Sequence, residues 1–193
     1  MEELQPQIWN EELVKSGSAL KVEATNIRSV CTQPPPQWTP PPANTLKINF
    51  DGAFHNASGN GVGAAVTRNQ EGRPIATVAR RFTHVNSPTL VEALALREAV
   101  LLAKSRQLTT VIFEGDAKGI IDAMIEGSNL NPACDVVLHD CRILCSSFSA
   151  VSFSFIRRTG NWVAHSLAKK SLKDIPFCTN TLAHLVWLEE RLM

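Results

Sequence analysis

The segment LKINFDGA (46–53) sets an acidic residue into what otherwise reads as a strand of a buried sheet. Leu46, Ile48 and Phe50 alternate with Lys47 and Asn49, the period of a half-buried strand that ends at Asp51-Gly52-Ala53. Two more strand-like runs, GVGAAVTRN (61–69) and PIATVARRF (74–82), follow before any helical pattern, split by Glu71-Gly72 as a hairpin turn. Three consecutive strands suit an antiparallel meander.

Past residue 82 the period changes. Ser87-Pro88 supplies an N-cap and a proline at the first helical position, opening a helix to about Ser105. TTVIFEGD (109–116) is a short β-branched run, read as a buried strand. Asp116 is placed to cap the next helix, where Ile120, Ile121, Met124 and Ile125 form the apolar stripe and Gly127 the stop. Residues 133–147 read as a third helix, VSFSFIRR (151–158) as a strand, and Asn161 as the start of a helix to about Lys173. Pro176 marks a break before a short amphipathic helix over 182–192.

This order predicts an α/β fold: a mixed five-stranded sheet, three antiparallel strands and then parallel ones, flanked by helices. The organisation expected is a proline-rich tail or linker over 1–44, a domain over 45–173, and a short helical extension over 174–193. PPPQWTPPP favours extended chain, with Trp38 a candidate to dock on the domain.

No apolar run approaches the ~20 residues of a membrane span. The opening MEELQPQIWNEEL lacks the plan of a secretory signal, so an intracellular protein is expected, in nucleus or cytoplasm. The five cysteines include no Cys-x-x-Cys pair, which fits a reducing compartment rather than a disulfide framework. Cys141 and Cys145, four apart with His139 nearby, admit a zinc reading. Small buried hydrophobes explain them more simply, because a zinc site needs four spaced ligands. A net charge of +1 points to modest, salt-sensitive binding of any nucleic acid. The basic pairs Arg80-Arg81, Arg157-Arg158 and Lys169-Lys170 read first as solvated surface. A monomer is expected.

Three acids stand apart. Asp51 closes an apolar strand, Glu92 lies early in its helix between Val91 and Ala93, and Asp116 closes the fourth strand. Each has an ordinary reading: a turn aspartate, a helix-dipole contact, a helix cap. If the first and fourth strands lie side by side, however, Asp51 and Asp116 meet at their carboxyl ends with Glu92 above. Carboxylates so crowded repel, and a hard divalent cation, Mg²⁺ or Mn²⁺, relieves that repulsion. Two such ions would suit phosphoryl transfer. Gly59-x-Gly61-x-Gly63 precedes a strand and has no following lysine, so it is not a phosphate loop. Its better use is close backbone approach.

LKINFDGA, GVGAAV, EALAL around Glu92, FEGDA around Asp116 and NWVAHSLAKK near the end resemble, in order, the motifs of ribonuclease H. They are most similar to the plant reverse-transcriptase-like branch, over about residues 45–172. The resemblance implies metal-dependent endonucleolytic cleavage of the RNA strand of RNA–DNA hybrids. It implies Asp51, Glu92 and Asp116 as catalytic metal ligands for Mg²⁺ or Mn²⁺, Gly52, Ala53, Ser87 and Asn161 as substrate contacts, and the minor groove of a hybrid as one candidate for the close approach of the 59–63 glycines.

Two departures stand out. The family's fourth acid aligns with His165, a poor Mg²⁺ ligand that titrates near neutrality and is as suited to carry a proton. The link from Arg157 to Gly160 is short, where many members carry a histidine-bearing loop. A rival reading is therefore a catalytically weak or inactive module that binds nucleic acid or protein. A 3′–5′ exonuclease would require an Asp-x-Glu first motif, and the matching position is Ala53.

Overall fold

The computed structural model describes residues 38–192; Cys31 and the tail before Trp38 lie outside the described residues. Strands β1 (Leu46–His55), β2 (Asn60–Arg68) and β3 (Pro74–Phe82) form the meander. Helix α1 (Pro88–Ser105) then crosses to β4 (Thr110–Gly115), and α2 (Lys118–Glu126) and α3 (Pro132–Cys145) lead to β5 (Ala150–Phe155). Helix α4 (Trp162–Lys173), a single turn α5 (Ile175–Cys178) and α6 (Thr181–Leu192) complete the chain. The sheet order is β3-β2-β1-β4-β5, with β1–β4 and β4–β5 parallel. This is the expected mixed sheet.

The alternation in β1 divides two cores. Ile48 and Phe50 join Leu96 of α1, Phe113, Ile120 of α2 and Leu138 of α3 on one face. Ala53 joins Ala64 and Val66, Val163 and Leu167 of α4, and Leu188 of α6 on the other. The cysteines of α3 belong to the first core: Cys134, Cys141 and Cys145 are all buried. Burial pushes the thiols of Cys141 and Cys145 up to about 12, the setting of a neutral side chain rather than a metal thiolate.

Several expectations need correction. Asp51 does not end its strand, because β1 continues to His55 and Asp51 pairs with Ala64 in mid-strand. Lys47 and Asn49 are not a solvated edge of the alternation, since both are buried. Lys47 Nζ lies 3.0 Å from Glu114 Oε1, Asn49 donates to Glu114 Oε2, and Arg68 donates to Asn49 Oδ1. The Trp38 ring covers this network, with the Arg68 guanidinium 3.6 Å from its centroid. Desolvated charges need partners, and here each has one. Pro176 does not simply break the chain; it sits in the first turn of α5, which Asp174 caps.

The glycines of the second strand serve packing. A Cβ on Gly61 would lie 2.6 Å from Val91 Cγ2, and one on Gly63 2.8 Å from Ala95 Cα. Their close approach is therefore to α1, not to a hybrid's groove, and it sets how low that helix rides on the sheet. Gly63→Ala should force α1 away and destabilise the fold by ~1–3 kcal/mol. A urea denaturation midpoint equal to that of the wild type would refute this.

Candidate active site

Register brings the acids together. Phe50 of β1 pairs with Gly115 of β4, so the next residues, Asp51 and Asp116, fall side by side where the parallel pairing of the two strands stops. Because β4 stops there, β1 runs on with one edge unpaired by β4. The Gly52 N–H at that edge donates to Glu92 Oε2 at 3.0 Å, which ties α1 to the strand. A Cβ on Gly52 would lie 2.9 Å from Glu92 N, so only glycine lets the helix come this close.

Asn161 closes the arrangement from the start of α4. Its Nδ2 donates to Phe50 O and to Asp116 Oδ1, both at 2.8 Å. One side chain thus ties the middle of β1 to the residue that follows β4, instead of capping its own helix. Asp116 does not cap α2 either: the cap position is Ala117, with no side-chain bond. Its Oδ2 accepts from Arg158 Nε at 2.9 Å. His165 Nδ1 lies 3.0 Å from Asp51 Oδ2, one turn into α4.

Of the other expected contacts, Ser87 Oγ accepts from Leu90 N as the cap of α1. The Ala53 methyl packs inward against the second core, which leaves its backbone as what it could offer a ligand. Arg158 was legible only as half of a surface pair, yet it enters the site. The signal that could have found it is its spacing of three before Asn161, the other residue that grips Asp116.

Electrostatics at the cluster follow from burial. Asp51 is fully inaccessible, and desolvation, reinforced by Glu92 and Asp116, pushes its carboxyl up to about 10. Glu92 rises to about 8, again chiefly by burial, with Asp116 adding repulsion. Burial alone would raise Asp116 too, but bonds from Asp51, Arg158 and Asn161 hold it below the ordinary value. His165 is held below its usual value by burial, then by Arg158 and Lys169.

A hard cation fits part of this set. Asp51 Oδ1 is buried and meets no donor, the kind of orphaned oxygen that a cation satisfies. Both oxygens of Asp116 are already engaged, and no three His, Cys, Asp or Glu among the described residues form a ready-made cage. Mg²⁺ needs no such cage, because it keeps several waters and is commonly held by one or two carboxylates. Asp51 and Glu92 could supply those.

Residues 49–171 match the reverse transcriptase-like family. The chain belongs to that family. The matched span of this reverse transcriptase-like chain begins within β1 and ends within α4, and so includes every residue of the cluster. Among solved structures it is similar to ribonuclease H1 from Halobacterium salinarum NRC-1, at 21% identity and a TM-score of 0.63 over 67% of this chain and 98% of that one. The N-terminal ribonuclease H domain of Rv2228c from Mycobacterium tuberculosis gives 18% identity and a TM-score of 0.62, covering 67% and 94%. LC11 ribonuclease H1, isolated from compost and solved in complex with an RNA/DNA hybrid, gives 16% and 0.59, covering 66% and 96%. At these identities the likeness shows the fold: a ribonuclease H-like α/β domain. Comparison with proteins of curated function yields no match.

The buried acids make the stability of the metal-free reverse transcriptase-like domain depend on pH. A carboxyl whose folded pKa is raised binds its proton more tightly in the folded state. Its stabilisation is therefore complete below the unfolded value and lost as pH rises, from 3.8 towards about 10 for Asp51 and from 4.5 towards about 8 for Glu92. Asp51→Asn removes the larger of these and can still donate to Asp116. The variant should melt higher than wild type in chelator at pH 8, by on the order of 1–2 kcal/mol, and the gain should shrink towards pH 4. A difference independent of pH between 4 and 8 would contradict this account.

Proposed function

We propose that this domain hydrolyses the RNA strand of RNA–DNA hybrids, as a metal-dependent endonuclease of ribonuclease H type. The observation that carries the reading is the fully buried Asp51. Its Oδ1 has no donor, and the carboxylates of Glu92 and Asp116 crowd it where the parallel pairing of β1 with β4 ends. A purely structural carboxylate would have its oxygens satisfied.

Asp51 and Glu92 would hold Mg²⁺ or Mn²⁺, with Asp116 adding negative charge through its contact with Asp51. A bound divalent cation would lower the pKa of its water and stabilise charge developing on the phosphodiester. With Asp51 ionised, the His165 ring donates from Nδ1 and leaves Nε2 as the basic nitrogen. The ring thus orients Asp51, and Nε2 is the atom that can accept or return a proton. Asn161 fixes the spacing of the two strand ends. The backbone at Gly52 and Ala53, on the stretch of β1 past β4, is where a hybrid would lie closest to the acids. Ser87 approaches such a substrate from the start of α1.

A second reading has its own observation. Arg158 and His165 already occupy oxygens of Asp116 and Asp51, as they would in a domain that binds a hybrid without cutting it. A single assay separates the two. Wild-type protein with end-labelled hybrid should nick the RNA in Mg²⁺ or Mn²⁺ and leave the DNA strand intact. Asp51→Asn should lose roughly a hundredfold or more while still folding. Binding of the hybrid without cleavage in either metal would support the second reading and reject the first.

A further inference from the structure

The charge of the cluster does not match a site for two divalent ions. Once a bound cation displaces the protons of Asp51 and Glu92, these two acids and Asp116 bring three negative charges, and Arg158 returns one positive charge that no accessible pH removes. Two negative charges remain, the amount that one divalent cation neutralises. The fourth position, His165, adds none when neutral and is a poor ligand for a hard ion.

We propose that this site takes one divalent cation rather than two, and that the Arg158 guanidinium supplies the positive charge a second ion would otherwise bring. The inference rests on the metal-dependent reading above. Geometry carries it. Arg158 Nε lies 2.9 Å from Asp116 Oδ2, and Asn161 takes the other oxygen, so Asp116 presents its charge to a resident cation and not to a free ligand position. The Asp116 side chain is 5% exposed and that of Arg158 63%, so the guanidinium covers the acid from the solvent side. Its field also reaches Asp51 and Glu92. An ion between those two would sit beside Arg158, and another would have to displace it.

Consequences for cation binding are direct. A unit charge about 6 Å from a divalent ion, in a water-like dielectric, changes affinity on the order of tenfold. Arg158→Gln should therefore bind Mn²⁺ about tenfold more tightly than wild type. Arg158→Lys keeps the charge and should stay near wild type. Arg158→Gln combined with His165→Asp removes the resident cation and restores an acid, and should take two ions.

The experiment titrates Mn²⁺ into full-length protein without nucleic acid, counting free ion by its electron paramagnetic resonance signal. Asp51→Asn serves as the control, and thermal melts confirm folding. One Mn²⁺ per wild-type chain, tighter in Arg158→Gln and doubled in the combined variant, is the expected result. Two ions of similar affinity on wild type would overturn the proposal. So would an Arg158→Gln protein identical to wild type while Asp51→Asn loses binding, an outcome that leaves the metal-dependent reading intact. Absence of Mn²⁺ binding from every variant would remove both.

Discussion

A carboxylate with no exposed surface, set midway along the central strand of a sheet, cannot keep its charge unaided. Asp51 is in that position, and much of the domain's design can be read as a response to it. Its neighbours on the same face of β1 are Lys47 and Asn49, also buried, but these are satisfied by Glu114 and Arg68. The difference along one strand is instructive. At the amino end of β1 the polar stripe is closed by internal partners and sealed by Trp38; at the other end it stops at an oxygen without a donor. The same strand therefore carries a structural ion network and an incomplete one, and incompleteness is what a ligand site requires.

Each remaining part of the cluster depends on a different backbone device. The early stop of β4 leaves an edge of β1 open, so Gly52 can bond Glu92. The missing side chains at Gly52, Gly61 and Gly63 let α1 descend until that bond is short. Asn161 gives up capping its own helix to hold Phe50 and Asp116. None of these contacts is strong alone, at ~1 kcal/mol for an ordinary hydrogen bond. Together they convert a loose collection of acids from three elements into a fixed arrangement, which a site acting on substrate needs before it binds anything.

The elements and the mixed character of the sheet were legible because apolar periodicity is local: the alternation in β1 and the stripe in α2 can be read within a dozen residues. The end of β1 was not, because residues 51–55 lose the apolar alternation while still pairing with β2. Nor was the network around Glu114, whose partners lie 65 residues away in the case of Asn49. Polar residues that neutralise one another across strands look, one at a time, like solvated surface. Arg158 was hidden for the same reason. Asp51 and Asp116 were legible because each closes an apolar run, and Glu92 because it stands between Val91 and Ala93, where a charge's cost is visible in the sequence; the cations were not, since a long side chain can reach into a site from an unremarkable loop.

That asymmetry bears on how a chain of net charge +1 could meet a polyanion. An acidic cluster repels phosphate, and with little overall positive charge there is no long-range attraction to offset it. The compensation has to be local. Arg158 lies on the cluster itself, and Lys169 acts on His165 from the next turn of α4. With so few cations in place, attraction to a polyanion would be modest, and salt would weaken it further. Specificity would then rest on shape and on the bonds made at the strand ends, where the acids, the guanidinium and the open edge of β1 are held together by the same register.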